Sequence, residues 1–198
     1  MNELLGITQR EQEQDLFTQK QTLLGIVAHP DHEILMFGGL LHRIKRSCPE
    51  SRIYIVYMTV GDTSDLSING FSSSSDRIQE IKQVSSLLKY DDWEIAFPGN
   101  EYHLLLDQVP PKKLICKIEG YIDKWRPTIL ITHQFPDYNQ DHRAVALAAV
   151  TATRPAPSEH KPEIRFSWGG EFSGNVTYGI TEPMVPNIFT EISVEDLA

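Results

Sequence analysis

The sequence predicts an α/β fold: a Rossmann-like, mostly parallel sheet with helices on both faces and short C-terminal strands at its edge. Two observations predict it. Short apolar runs without period suit strands buried on both faces, and segments of helical period alternate with them, which is the pattern of parallel strands joined by crossover helices. At roughly 150 residues per domain, 198 residues give one domain, expected over 21–198. Residues 1–20, rich in Gln and Glu around Leu16 and Phe17, read as a polar extension, either a surface helix or a partly ordered arm.

The first strand is the run Leu23 to Ala28, bounded by a polar cluster. A helix follows, because Ile34, Phe37, Leu41 and Ile44 recur at helical spacing, and Pro49 ends it. Gly38 and Gly39 lie inside that helix, where they suit close helix packing. The second strand, Ile53 to Val60, is rich in β-branched and aromatic residues and stops at Gly61-Asp62. Residues 61–75 are polar, a lid over the site or a solvated loop. Asp76 with Gln79 resembles a capping box, and Ile78, Ile81, Val84 and Leu88 mark the buried face of the next helix. Trp93 to Phe97 is a short strand ended by Pro98-Gly99. Pro110-Pro111 opens a helix with Leu114, Ile115, Ile118, Ile122 and Trp125 on one side, stopped by Pro127. Thr128 to Thr132 is the fourth strand, and Asp141 to Thr153 is helical. From Glu163 onward, short strands and turns are expected to pack on the sheet edge.

Composition narrows the function. A net charge of −9 removes the basic footprint of a nucleic-acid binder and disfavours anionic membrane surfaces. No apolar run reaches the ~18 residues of a membrane span, and the N-terminus lacks a signal-peptide pattern. Cys48 and Cys116 make neither a disulfide framework nor a thiolate metal site, so a reducing cytoplasm is the expected compartment. An oligomer of identical chains is compatible with the sequence.

In open parallel α/β sheets, ligands bind at the carboxyl ends of the strands. His29-Pro-Asp31-His32-Glu33 follows the first strand, Gly61-Asp62-Thr63 the second, and His133 through Asp137, Asn139 and Asp141-His142-Arg143 the fourth. Four of the seven histidines therefore converge on one edge. Neutral imidazole suits zinc and similar ions. His29 and His32 are close enough in a tight turn to bind one ion, and His142 is the natural third ligand. It lies in the first helical turn after Asn139 as N-cap, where the helix dipole keeps the ring neutral. Three protein ligands leave a position for water, and Asp31 beside it can take the proton as the water attacks. The bland readings are that Asp31, Glu33 and Asp141 merely favour helix starts. His42, His103 and His160 read as structural. No nucleophile elbow, phosphate-cradling loop or dinucleotide fingerprint is present.

These residues resemble a known family. Ala28-His-Pro-Asp-His-Glu33 is similar to the Ala-His-Pro-Asp-Asp-Glu signature of the PIG-L/LmbE-like zinc-dependent N-acetylglucosaminide deacetylases. Thr59-Val-Gly-Asp62, Arg77 with Glu80, Thr132-His133 and Asp141-His142-Arg143 extend the resemblance. Thr151 to Pro155 and Pro186 to Phe189 resemble one bacterial branch. The resemblance implies a zinc-dependent N-deacetylase that hydrolyses an N-acetylated small molecule, an amino sugar or a relative of one. His29 and His142 match metal ligands, and Asp31 the general base. Arg77 matches an arginine associated with substrate binding, although a surface arginine at a helix start explains it nearly as well. His32 stands where the family has a ligating Asp, which implies a three-histidine site one unit more positive. Asn139 stands where many members have a His that assists the oxyanion or leaving group. Asparagine can donate a hydrogen bond there but cannot shuttle a proton, and His133 is the candidate for that part. Relatives often continue beyond Pro186 to Phe189, so part of the pocket is expected to be missing or to come from a partner. The rival reading is a catalytically impaired relative that acts as a sugar-binding or interaction module. Such a chain is stabilised by N-acetylated sugars without releasing acetate.

Overall fold

The computed structural model describes residues 17–63, 71–134, 137–154 and 193–194. Four strands, β1 (Thr22–Val27), β2 (Arg52–Val60), β3 (Asp92–Pro98) and β4 (Ile129–Thr132), form one parallel sheet in the order β3-β2-β1-β4. The central strand β1 is paired on both edges: Ile26 lies between Val56 and Thr132. Burial on both faces explains the absence of hydrophobic alternation along it.

Alternate strand residues feed two apolar layers. Leu24, Ile26, Val56 and Met58 pack on α3 (Pro111–Trp125) and α4 (Gln140–Ala152) through Leu114, Ile118, Val145 and Ala149. Leu23, Val27, Ile53 and Ile55 face α1 (His32–Ser47) and α2 (Ser74–Leu88) through Phe37, Leu41, Ile44 and Ile81. Gly25 belongs to the second face because a Cβ there would lie 2.7 Å from Ile55 Cδ1 and 3.1 Å from the Phe37 ring. The predicted α/β class and the helices on both faces are as observed.

Three local expectations are corrected. Ile34 does not share a buried face with Phe37: it is 38% exposed, because α1 breaks its helical geometry at Phe37 (φ −143°, ψ 18°) and loses phase. Gly38 therefore follows a kink rather than making a close helix contact. A Cβ on Gly38 would meet only its own helix, with Ile34 Cβ at 3.8 Å. The capping box of α2 is built three residues earlier than expected: Ser73 Oγ accepts from the Asp76 amide at 3.2 Å, and an Asp76 carboxylate oxygen accepts from the Ser73 amide at 3.3 Å.

The order of the strands decides where a ligand can bind. From β1 the chain moves through β2 to β3 on one side, then crosses back to place β4 on the other side of β1. The connections leaving β1 and β4 diverge at this switch point and open a crevice at their carboxyl ends. Of the polar loop after β2, only its base is described: Thr63 and Ser72 exchange backbone hydrogen bonds of 2.9 Å. The N-terminal extension up to residue 16 and most of the expected C-terminal strands lie outside the described residues. Among the described residues no helix is long and apolar enough to cross a membrane. Cys48 and Cys116 are not in a disulfide.

Candidate metal centre and active-site cleft

Asp31 makes the turn from β1 into α1 in a left-handed conformation (φ 85°), which a non-glycine residue adopts only where its surroundings enforce it. The turn brings His29 and His32 together, ring centroids 5.3 Å apart and inclined by 61°. His142 reaches the same point from the first turn of α4, with its centroid 6.0 Å from His29 and 4.6 Å from His32. One ligand atom from each of the three buried rings lies within 4.8 Å of the others.

Two of these rings are held from behind. His29 Nε2 bonds Asp141 Oδ2 at 2.9 Å, and the other Asp141 oxygen accepts from the Leu106 amide at 3.0 Å. His142 Nδ1 lies 3.2 Å from Asp137 Oδ2. A carboxylate on one ring nitrogen fixes the proton there and turns the opposite lone pair outward, the usual arrangement around metal-ligating histidines. Nδ1 of His29 and Nε2 of His142 are thereby left with the lone pairs that could ligate a cation. Burial, with the neighbouring His142, His29 and Arg77, pushes His32 down to about 2, so its ring is neutral. Three mutually inclined imidazoles, that of His32 neutral, suit zinc or a similar first-row cation.

A second grouping, His133, Asp137 and His142, also has its donor atoms within 4.8 Å. Its geometry is poor for an ion. His133 and His142 stack face to face, 4.1 Å apart at 9°, so their in-plane lone pairs run side by side instead of converging. His133 Nε2 already accepts from the Ala28 amide at 2.8 Å, which places the ring proton on Nδ1. Burial first, then the surrounding histidines, holds His133 well below the usual imidazole range.

Beside His29 and His32 lies a cleft of about 150 Å³, lined among others by Asp31, Gly61, Thr63, Arg77 and His103. The Asp31 side chain is about half exposed. One carboxylate oxygen is 3.8 Å from His32 Nε2 and the other 3.4 Å from Arg77 Nη1, which also bonds Glu80 at 3.0 Å. Asn139 is an N-cap, as its position suggested: its Oδ1 accepts from the amides of Asp141 at 2.9 Å and His142 at 3.4 Å. Glu33, buried beneath the site, accepts from the Tyr57 hydroxyl at 2.7 Å, and burial raises its carboxyl to about 6.

Sequence reasoning missed three residues of this neighbourhood. Asp141 was a helix-start carboxylate and Asp137 only one carboxylate of a loop, yet each orients a histidine. The signal for Asp141 was its place beside His142: neighbours on a helix point about 100° apart, so the pair can face two partners. His103, read as structural, lines the cleft, with its ring centroid 5.6 Å from that of His29. It sits after β3, the one strand whose carboxyl end was not searched for polar residues.

Residues 24–153, about two-thirds of the chain, match the PIG-L family, described as GlcNAc-PI de-N-acetylase. A comparison with curated proteins gives no match. Among solved structures, the chain is similar to a conserved protein from Thermus thermophilus (TM-score 0.64, 22% identity, 89% of this chain and 74% of that one). It is also similar to a deacetylase from the biosynthesis pathway of teicoplanin (TM-score 0.60, 18% identity, 77% and 68%). A third similar structure is the N,N'-diacetylchitobiose deacetylase from Pyrococcus horikoshii (TM-score 0.59, 19% identity), of which this chain spans 56% while 77% of this chain is covered. At these identities the likeness carries the fold. The family match spans both histidine-bearing segments and more than half of the sequence, and on it the chain belongs to the PIG-L/LmbE-like deacetylase family.

Proposed function

We propose that the chain is a metal-dependent N-deacetylase, with zinc as the favoured ion, that hydrolyses an N-acetyl group of an amino sugar or a related small molecule to acetate and a free amine. The observation that carries this reading is the convergence of His29, His32 and His142 at the switch point, with Asp141 and Asp137 behind two of the rings and Asp31 at the edge of the cleft.

His29, His32 and His142 would hold the cation, which when bound supplies Lewis acidity to the amide carbonyl and lowers the pKa of a water. Asp31 takes the proton of the attacking water. Its carboxylate is half in solvent, within reach of the cleft, and 3.4 Å from Arg77 Nη1. Arg77 can also donate to a polar group of the substrate from the same cleft wall. His133, neutral with its proton on Nδ1, serves as a hydrogen-bond donor and as the surface against which His142 stacks. Asn139 acts through the cap that sets His142 at the mouth of α4.

The test is metal analysis of protein reconstituted with zinc, together with acetate release from N-acetylated amino sugars. We expect one tightly held ion and acetate production. Asp31→Asn should keep the ion and lose about 10²- to 10⁴-fold in turnover. A reconstituted chain that holds no divalent ion, or an Asp31→Asn variant with full turnover, refutes the mechanism.

A further inference from the structure

His103 is built into the cleft by features that a structural histidine does not need. It stands in the turn between β3 and the short 3₁₀ segment Leu106–Gln108, and the next residue, Leu104, is held at a left-handed φ of 59°. A branched apolar residue in that region is a strained conformation, of the kind that clusters at binding sites. The His103 side chain packs directly on Gly61 just past β2: a Cβ there would sit 2.4 Å from His103 Cγ and 2.6 Å from its Cδ2, so only glycine leaves room for the imidazole. The ring also meets His29 edge-on, with centroids 5.6 Å apart.

The hydrogen-bonding state of this ring follows from its neighbour. Thr59 Oγ1 lies 3.5 Å from His103 Nδ1 and 3.3 Å from the Ala28 carbonyl oxygen. A carbonyl can only accept, so the single Thr59 proton goes to Ala28 and Thr59 accepts from His103. The His103 proton is therefore on Nδ1, and Nε2 carries a lone pair. That Nε2 is buried and has no hydrogen-bond partner among the described residues, while the ring lines the same cleft as Asp31, Thr63 and Arg77. A buried acceptor without a donor is a standing penalty that an arriving donor relieves.

We propose that His103 is a substrate-binding residue whose Nε2 accepts a hydrogen bond from a hydroxyl or amino group of a polyhydroxylated amine, which makes it a determinant of specificity for sugars over plain amides. The proposal rests on the deacetylase reading for the identity of the ligand. With Arg77 donating and Asp31 and His103 accepting, the cleft offers both polarities that a sugar ring requires.

The experiment uses the full zinc-loaded chain and compares the wild type with His103→Phe, which keeps the ring shape without the acceptor. The two substrates are N-acetylglucosamine and N-cyclohexylacetamide, the latter a ring without hydroxyls. The kcat/KM ratio between them is expected to fall about tenfold in His103→Phe, mainly through a higher KM for the sugar, with zinc content unchanged. Glucosamine binding, measured by calorimetry, should weaken by a similar factor. Gly61→Ala, which displaces the ring, should move both readouts in the same direction. An unchanged ratio and unchanged glucosamine affinity in a folded, zinc-replete His103→Phe protein overturns the assignment. If the wild type releases no acetate, the hydrolase reading fails, while glucosamine binding still decides on His103. Absence of glucosamine binding by the wild type overturns it as well.

Discussion

Asp141→Asn is the sharpest probe of the proposed metal centre. Asp141 is fully buried and bonds at both oxygens, to His29 Nε2 at 2.9 Å and to the Leu106 amide at 3.0 Å. Asparagine has nearly the same shape and can still accept from Leu106 through Oδ1. Its amide nitrogen then faces His29 Nε2 as a donor, and the ring must answer with a lone pair at Nε2. The proton moves to Nδ1, the nitrogen left for the cation, and a ligand is lost without a change in packing. Carboxylates that support ligating histidines typically contribute 10- to 100-fold to metal affinity, about 1.4–2.7 kcal/mol. Zinc affinity measured by chelator competition should fall by that factor, with the circular dichroism spectrum of the fold retained. Asp141→Ala serves as the contrast: it strands the Leu106 amide and should lose about 1–3 kcal/mol of stability. Wild-type zinc affinity in a folded Asp141→Asn protein would refute the assignment of His29 as a ligand through Nδ1.

Two further predictions concern stability. Glu33 is raised by burial from an ordinary 4.5 to about 6, so the folded state holds its proton more tightly than the unfolded state. This contribution is fully present below pH 4.5 and is lost as pH rises through 6, about 2 kcal/mol in all. Urea unfolding of metal-free protein should show the wild type losing that amount relative to Glu33→Gln across the window; parallel curves would contradict it. Asn139→Ala removes a cap that serves two amides and should cost about 1 kcal/mol, a fall in Tm of about 2–4 °C. Because the same cap sets His142, zinc affinity should drop too, and an unchanged Tm with unchanged affinity would deny the cap both roles.

Much of the fold and the positions of the candidate ligands are legible along the chain. Apolar runs such as Leu23 to Ala28 can be strands only if both faces are covered, and interleaved helical periods supply that cover, so a parallel sheet follows from local chemistry. A parallel sheet in turn implies that polar residues just past the strands share one edge, which singles out His29, Asp31, His32, His133 and His142 from one sequence. Phase within α1 was not legible, because the kink at Phe37 answers to packing beneath β1, where Gly25 leaves space for the Phe37 ring.

What only the tertiary structure decided is orientation and partnership. The order β3-β2-β1-β4 sets β1 beside β4, and that alone lets Asp141 reach His29, 112 positions away in sequence. It also separates His133, whose Nε2 is committed to the Ala28 amide and whose ring stacks on His142, from the inclined rings that can share an ion. His103 enters the cleft through a strained turn and a glycine on another strand. Residue type and spacing fix which groups are available at the sheet edge. The direction of a lone pair depends on which carboxylate, amide or hydroxyl faces the other side of the ring, and those contacts exist only between segments distant in sequence.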